Sequence, residues 1–201
     1  MIDNYNDLSL GLFLDIDAVL HSDAEEIDKQ VDIIALLTGE DRDTILALPL
    51  EEYAALSAKT DYLRHECPPA TAPDRVIVGG LVLNPVRDFT KINTAQYVDF
   101  QTFSKGLPGR LPELLSVLLV PDTARGYNEG YNVADVQDAV RSLPLPVALG
   151  LAGFFFACLS ASIADSLTSL EETAKSLPTE KGMALLKKAE EMRSLLAGAG
   201  L

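Results

Sequence analysis

Asp15 and Asp17 close the apolar run Leu12-Phe13-Leu14 and are the carboxylates whose spacing first suggests chemistry. Two mixed clusters follow, His21 with Asp23 and Glu25, and His65 with Glu66 and Cys67. These are metal-ligating residue types, yet neither cluster repeats at the spacing of a zinc site, and the chain has two histidines in all. Both read as solvated surface. Cys158 falls inside an uncharged run, where a thiol is expected to be buried and inert rather than activated. Gly79-Gly80 lacks the Lys-Ser/Thr and the helix start of a phosphate-binding loop. No metal, cofactor or nucleophile is therefore expected. The segment Gly126-Tyr127-Asn128-Glu129-Gly130-Tyr131-Asn132 contains Gly-Tyr-Asn twice. It reads as turn chemistry: glycines at positive φ, Asn132 capping the next helix, and tyrosines stapling the loop to the core. The paired Tyr127 and Tyr131 also suit a recognition surface, where aromatic anchors are enriched.

The elements that must carry these residues are mostly helical. Ser22 followed by Glu25 has capping-box spacing, and Ile27, Val31 and Ile34 repeat with helical period until Gly39. A short helix is expected over 42–48. Pro49 suits the first turn of another, with Leu50, Tyr53, Leu56 and Leu63 inward. Two β-branched runs, 75–78 and 81–83, flank Gly79-Gly80 as a hairpin, and 86–89 is expected to add a third strand. Asn93 or Thr94 caps a helix carrying Tyr97, Phe100 and Phe103. Leu111, Leu114, Leu115, Leu118 and Leu119 form a stripe ended by Pro121, and Asn132 caps Val133, Val136, Val140 and Leu143. A long helix is expected over 146–177. Pro178 and Thr179 open a last one with Leu185, Leu186, Ala189, Met192 and Leu196 inward. The fold class is mainly α, a helical bundle with a small β-hairpin or three-stranded antiparallel insertion.

The chain has 201 residues, 48% of them apolar, with 16 Lys+Arg against 30 Asp+Glu and a net charge of -14. That apolar content excludes a disordered acidic tail, and the charge makes nucleic acid a poor partner. Two cysteines cannot build a disulfide framework, so free thiols and a reducing compartment are expected. The acidity is uneven: residues 1–66 carry 16 Asp/Glu and 4 Lys/Arg, while 67–201 carry 14 and 12. The break coincides with Cys67-Pro68-Pro69-Ala70-Thr71-Ala72-Pro73, where prolines forbid helix. The expected organisation is an acidic helical unit over 1–66, a proline linker and hairpin over 67–92, and a helical domain over 93–201. Residues 142–164 hold no charge for 23 positions, a length that could cross a membrane. Pro144, Pro146, Gly150, Gly153 and the later serines, with no flanking basic cluster, favour a central buried helix instead. The alternative is an interface with a partner or a second copy of the chain. The first 14 residues lack a basic stretch, so no secretory signal is expected.

The string from Leu12 to Leu20 resembles the first motif of haloacid-dehalogenase-type phosphatases. That resemblance implies Asp15 as nucleophile and Asp17 as general acid/base beside Mg²⁺. Ala18 stands where the family carries glycine, and no later apolar strand ends in the acidic pair that completes the metal site. The pair reads more simply as the polar face of a strand or helix.

A second resemblance covers more of the chain. Residues 36–53, from Leu36-Leu37-Thr38-Gly39 to Leu48-Pro49-Leu50-Glu51-Glu52-Tyr53, look like the pattern of tail assembly chaperones of tailed phages. The stretch from Thr94-Ala95-Gln96-Tyr97 through the Gly-Tyr-Asn loop to the Phe-rich helix is similar to other phage proteins of this size. The resemblance implies a non-enzymatic role in the host bacterial cytoplasm, binding hydrophobic helices of a tape-measure or other tail protein. Such a holdase needs an apolar groove, with net charge to keep the loaded assembly dispersed. The expected groove residues are Leu114, Leu118, Phe154, Phe155 and Leu159. A neck or tail ring subunit of the virion is the alternative within the same class.

Overall fold

The computed structural model describes residues 1–176 together with Met183 and Lys187, so the last expected helix lies outside the described residues. The chain is mainly helical with a small three-stranded antiparallel sheet. It divides into two compact units. The first gathers Met1–Pro85 and Asn93–Ala152; the second gathers Val86–Ile92 and the chain from Gly153.

The first unit opens with α1 (Leu10–Leu20), α2 (Glu26–Thr38), α3 (Arg42–Leu46) and α4 (Leu50–Ala58). Ser9 caps α1 through the Leu12 N–H, and Asp41 caps α3 through the Thr44 N–H at 2.8 Å. Gly39 ends α2 at φ 76°, the left-handed cap that its sequence position suggests. The Ser22–Glu25 capping box does not form. The Ser22 hydroxyl donates to the Val19 carbonyl at 2.7 Å and closes α1 instead, so α2 starts at Glu26 without a side-chain cap. Arg42 pairs with both Asp28 and Asp32 and ties α3 to α2. Val31, Ile34 and Ile45 form the buried centre of this layer, with Leu48, Tyr53 and Leu56 packed against it. Leu50, expected inward, is 81% exposed.

The hairpin forms as β1 (Val76–Val78) and β2 (Leu81–Pro85), with Gly79 and Gly80 both at positive φ. The third strand is not 86–89. It is β3 (Leu119–Pro121), which pairs with β2 in the register Leu83↔Pro121 and Pro85↔Leu119. Leu119 thus leaves the helical stripe for a strand, because pairing with β2 satisfies backbone groups that a helix terminus would leave open. The hairpin therefore pairs within the chain.

Three helices complete the unit's core: α5 (Thr94–Phe103), α6 (Leu111–Leu118) and α7 (Val133–Val140). Asn93 and Asn132 cap α5 and α7 as expected, accepting from Gln96 N–H and Ala134 N–H. Phe100, Leu111, Leu114, Leu115, Leu118, Val136 and Val140 are buried. Buried Gln96 donates to the Val117 carbonyl at 2.7 Å, satisfying an acceptor at the end of α6. Tyr97, expected with Phe100, is exposed.

The last helix, α8 (Leu145–Ser176), starts within the first unit. Leu145 N–H donates to Leu8 O and Leu10 N–H to Leu143 O, both at 2.8 Å, so the starts of α1 and α8 are laced together. The proline stretch does not hang free either: Ala70 N–H donates to Pro146 O at 2.8 Å. In the second unit Phe89 is buried in a short 3-10 turn (Phe89–Lys91) capped by Asp88, and the Arg87 guanidinium sits 5.2 Å from the centre of the Phe154 ring.

Candidate functional site: an apolar helix with an open face

Asp15 and Asp17 both lie on α1, not at the end of a parallel strand, and the one sheet among the described residues is antiparallel. Asp15 faces the Arg141 guanidinium at 3.3 Å, and Asp17 lies one turn from His21, whose Nδ1 is 3.4 Å from its carboxylate. The strand-end geometry implied by the phosphatase motif is therefore missing. Among the described residues no three His, Cys, Asp or Glu side chains gather as a ligand set. Cys67 is half-buried rather than solvated, and burial pushes its thiol above the ordinary range. Cys158 is half-buried too; burial pushes its thiol up and the Arg87 charge offsets part of that.

The expected groove residues separate by burial. Leu114 and Leu118 are fully buried on α6, and Phe155 and Leu159 are buried on α8. These four are core side chains in the folded chain and present no groove to a client. Phe154 is half-buried, its ring tilted 5.5 Å from that of Phe155.

Tyr127 is buried as well. Its hydroxyl donates to the Asp99 carboxylate at 2.7 Å, and burial followed by the Asp99 contact pushes its phenol far up. Tyr131 is half-buried, and burial raises its phenol also. Asn128 at φ 59° and Gly130 at φ 86° make the tight turns between them. Tyr127 thus anchors the Gly-Tyr-Asn loop to α5, and the loop is built as turn chemistry.

The feature that stays open is on α8. The segment Leu145–Ser162 has a mean hydropathy of 1.9, yet only 44% of it is buried. It is the one helix among the described residues long and apolar enough to cross a membrane. Gly153, Ala157 and Ala161 are exposed at successive i, i+4 positions, so they share one stripe, with Phe154 and Cys158 half-buried beside it. Periodicity alone could not find this stripe. An uncharged run looks alike on every face, and only packing decides which face is left open.

No protein-family model matches the chain, and no curated protein or solved structure is similar to it.

Proposed function

We propose that the chain is a non-enzymatic protein of phage morphogenesis, a tail assembly chaperone that holds hydrophobic helical segments of a tape-measure protein in the host cytoplasm. The observation that carries this reading is the open stripe of α8, apolar in composition and unfilled by the chain's own core. A smooth stripe of small residues lets another apolar helix approach closely along its length. The acidic residues of 1–66 supply the repulsion that keeps loaded complexes dispersed. Buried Phe155 and Leu159 lie on the covered side of the same helix, and Phe154 is the ring at the edge of the stripe.

Two measurements test the reading. Light scattering of an aggregating apolar helical client should be suppressed by the chain, and suppression should fall with Phe154→Ser combined with Ala157→Ser, which preserve charge. Unchanged suppression rejects α8 as the client surface. Immunodetection should find the chain in infected cells and not in purified particles; its presence in particles would reject the chaperone role in favour of a ring subunit.

A further inference from the structure

A second apolar feature lies on the acidic layer, away from α8 in the sequence. Ile27, Val31, Ile45, Leu46, Leu48, Leu50 and Tyr53 line a cleft of about 230 Å³ between α2, α3 and α4. Three of its walls are apolar side chains left in water: Ile27 is 55% exposed, Leu46 58% and Leu50 81%. Isolated exposed leucines are ordinary, but three converging on one concavity are not. Tyr53 adds a phenol oxygen that is shielded from solvent and has no hydrogen-bond partner among the described residues.

The rim is acidic. Residues 23–53 carry ten carboxylates and two basic side chains. Arg42 is already held by Asp28 and Asp32, and Lys29 donates to the Leu20 carbonyl. Glu26 precedes Ile27, and Glu51 and Glu52 follow Leu50. These three and Asp43 on α3 are exposed and form no ion pair among the described residues. The field over the cleft is thus negative and uncompensated. That field argues against a second copy of the chain as occupant, since docking would bring two acidic layers together. It favours a partner that brings cations with its apolar anchors.

We propose that this cleft docks a basic amphipathic helix of another protein, with leucine- or phenylalanine-sized anchors entering between Ile27, Leu46 and Leu50 and flanking Lys or Arg side chains meeting Asp43, Glu51 and Glu52. The anchors recur at helical spacing on the partner, so one short helix fills the cleft and reaches the rim on both sides. The proposal goes beyond the α8 reading and does not depend on it.

The test uses the full chain and labelled helical peptides of about five turns, read by fluorescence anisotropy at low salt. One peptide carries a leucine stripe on a lysine background. The second replaces lysine by glutamate, and the third replaces the leucines by alanine. The first should bind, with affinity falling as salt is raised, and the other two should bind at least about tenfold more weakly. Leu46→Ser with Leu50→Ser should weaken the first peptide about tenfold or more, while circular dichroism reports an unchanged fold. Glu51→Gln with Glu52→Gln should weaken it several-fold and flatten its salt dependence. Phe154→Ser, which tests α8, should leave this binding in place, so the two readings fail separately. Equal binding of the alanine-stripe or glutamate peptide would overturn the proposal, as would indifference to the Leu46 and Leu50 changes. A concentration-dependent dimer abolished by Leu50→Ser would overturn it in favour of a second copy.

Discussion

Gly150 is where the packing of α8 can be tested most sharply. A Cβ built there overlaps the Ala70 carbonyl oxygen and lies 2.9 Å from its carbonyl carbon, and both are backbone atoms that cannot swing aside. The 70s segment is held at that point by the Ala70 N–H to Pro146 carbonyl bond. On helix propensity alone, Gly→Ala within a helix gains about 1 kcal/mol. Against it stand an overpacking cost of about 1–3 kcal/mol and about 1 kcal/mol if the Ala70 bond is lost as the segment is pushed away. The balance is a loss of roughly 1–3 kcal/mol, since the steric terms exceed the propensity gain. At about 2–4 °C per kcal/mol for a chain of this size, the melting temperature should fall by roughly 2–12 °C. Gly153, three residues on, supplies the control: nothing lies within 4 Å of its built Cβ. Gly153→Ala should therefore gain about 0.5–1 kcal/mol. Thermal melts by circular dichroism compare the two, and hydrogen exchange reads the Ala70 amide, which should lose protection only in Gly150→Ala. If Gly150→Ala raised the melting temperature as Gly153→Ala does, the proline stretch would not rest on α8 and the reasoning would fail.

Other consequences follow from single groups. The Thr44 N–H bond holds the Asp41 carboxyl below the usual carboxylate range. Its stabilising effect is complete above the unfolded pKa and is lost as pH falls through the lower folded one. Asp41→Asn, an equally good cap at every pH, should make the acid-side fall in melting temperature shallower. Burial, helped by the nearby Tyr5 and Asp3 charges, pushes Tyr62 up to about 12, and Tyr127 is raised too. Absorbance at 295 nm should thus show at least two of the six tyrosines, Tyr62 and Tyr127, still un-ionised at about pH 11. Because the unfolded chain ionises first, stability should fall as pH climbs through about 10. Tyr127→Phe should cost about 1 kcal/mol in urea denaturation by leaving Asp99 without its donor. Intact stability would show that the Gly-Tyr-Asn loop is not stapled to α5.

What could be read ahead of the structure is what local chemistry decides. Gly39, Gly79-Gly80, Asn93 and Asn132 act through their own φ angles or through amides two to four residues away, so their roles were visible in the residues themselves. The departures have other causes. Ser22 departs for a local reason: its hydroxyl bonds the Val19 carbonyl three residues back and so serves the end of α1. Leu119 belonged to a helical stripe by period but to a strand by partner, and that partner, β2, lies more than thirty residues earlier. Leu50 continued the apolar spacing of Tyr53 and Leu56, but the core of Val31, Ile34 and Ile45 already closes against Tyr53, Leu48 and Leu56, leaving Leu50 outside. Apolar period identifies a face; it does not say whether the neighbouring layer is wide enough to cover it.

The expected groove is closed for a related reason. Apolar character marks Leu114, Leu118, Phe155 and Leu159 as groove candidates, and the same property places them inside. A surface that takes up an apolar partner must instead be apolar and left uncovered, and among the described residues the Gly153–Ala157–Ala161 stripe and the Ile27–Leu46–Leu50 cleft meet both conditions. They differ in electrostatics. The nearest carboxylate after the stripe is Asp165, whereas the cleft shares its helices with exposed Asp43, Glu51 and Glu52. Binding to the stripe should hardly change with salt, because apolar contact carries it, whereas binding to the cleft should weaken steeply. A titration against an apolar helix and a basic amphipathic one at two ionic strengths therefore separates the surfaces without any mutation. A single common salt dependence for both ligands would mean that one surface serves both, and that the charge concentrated in 1–66 plays no part in choosing a partner.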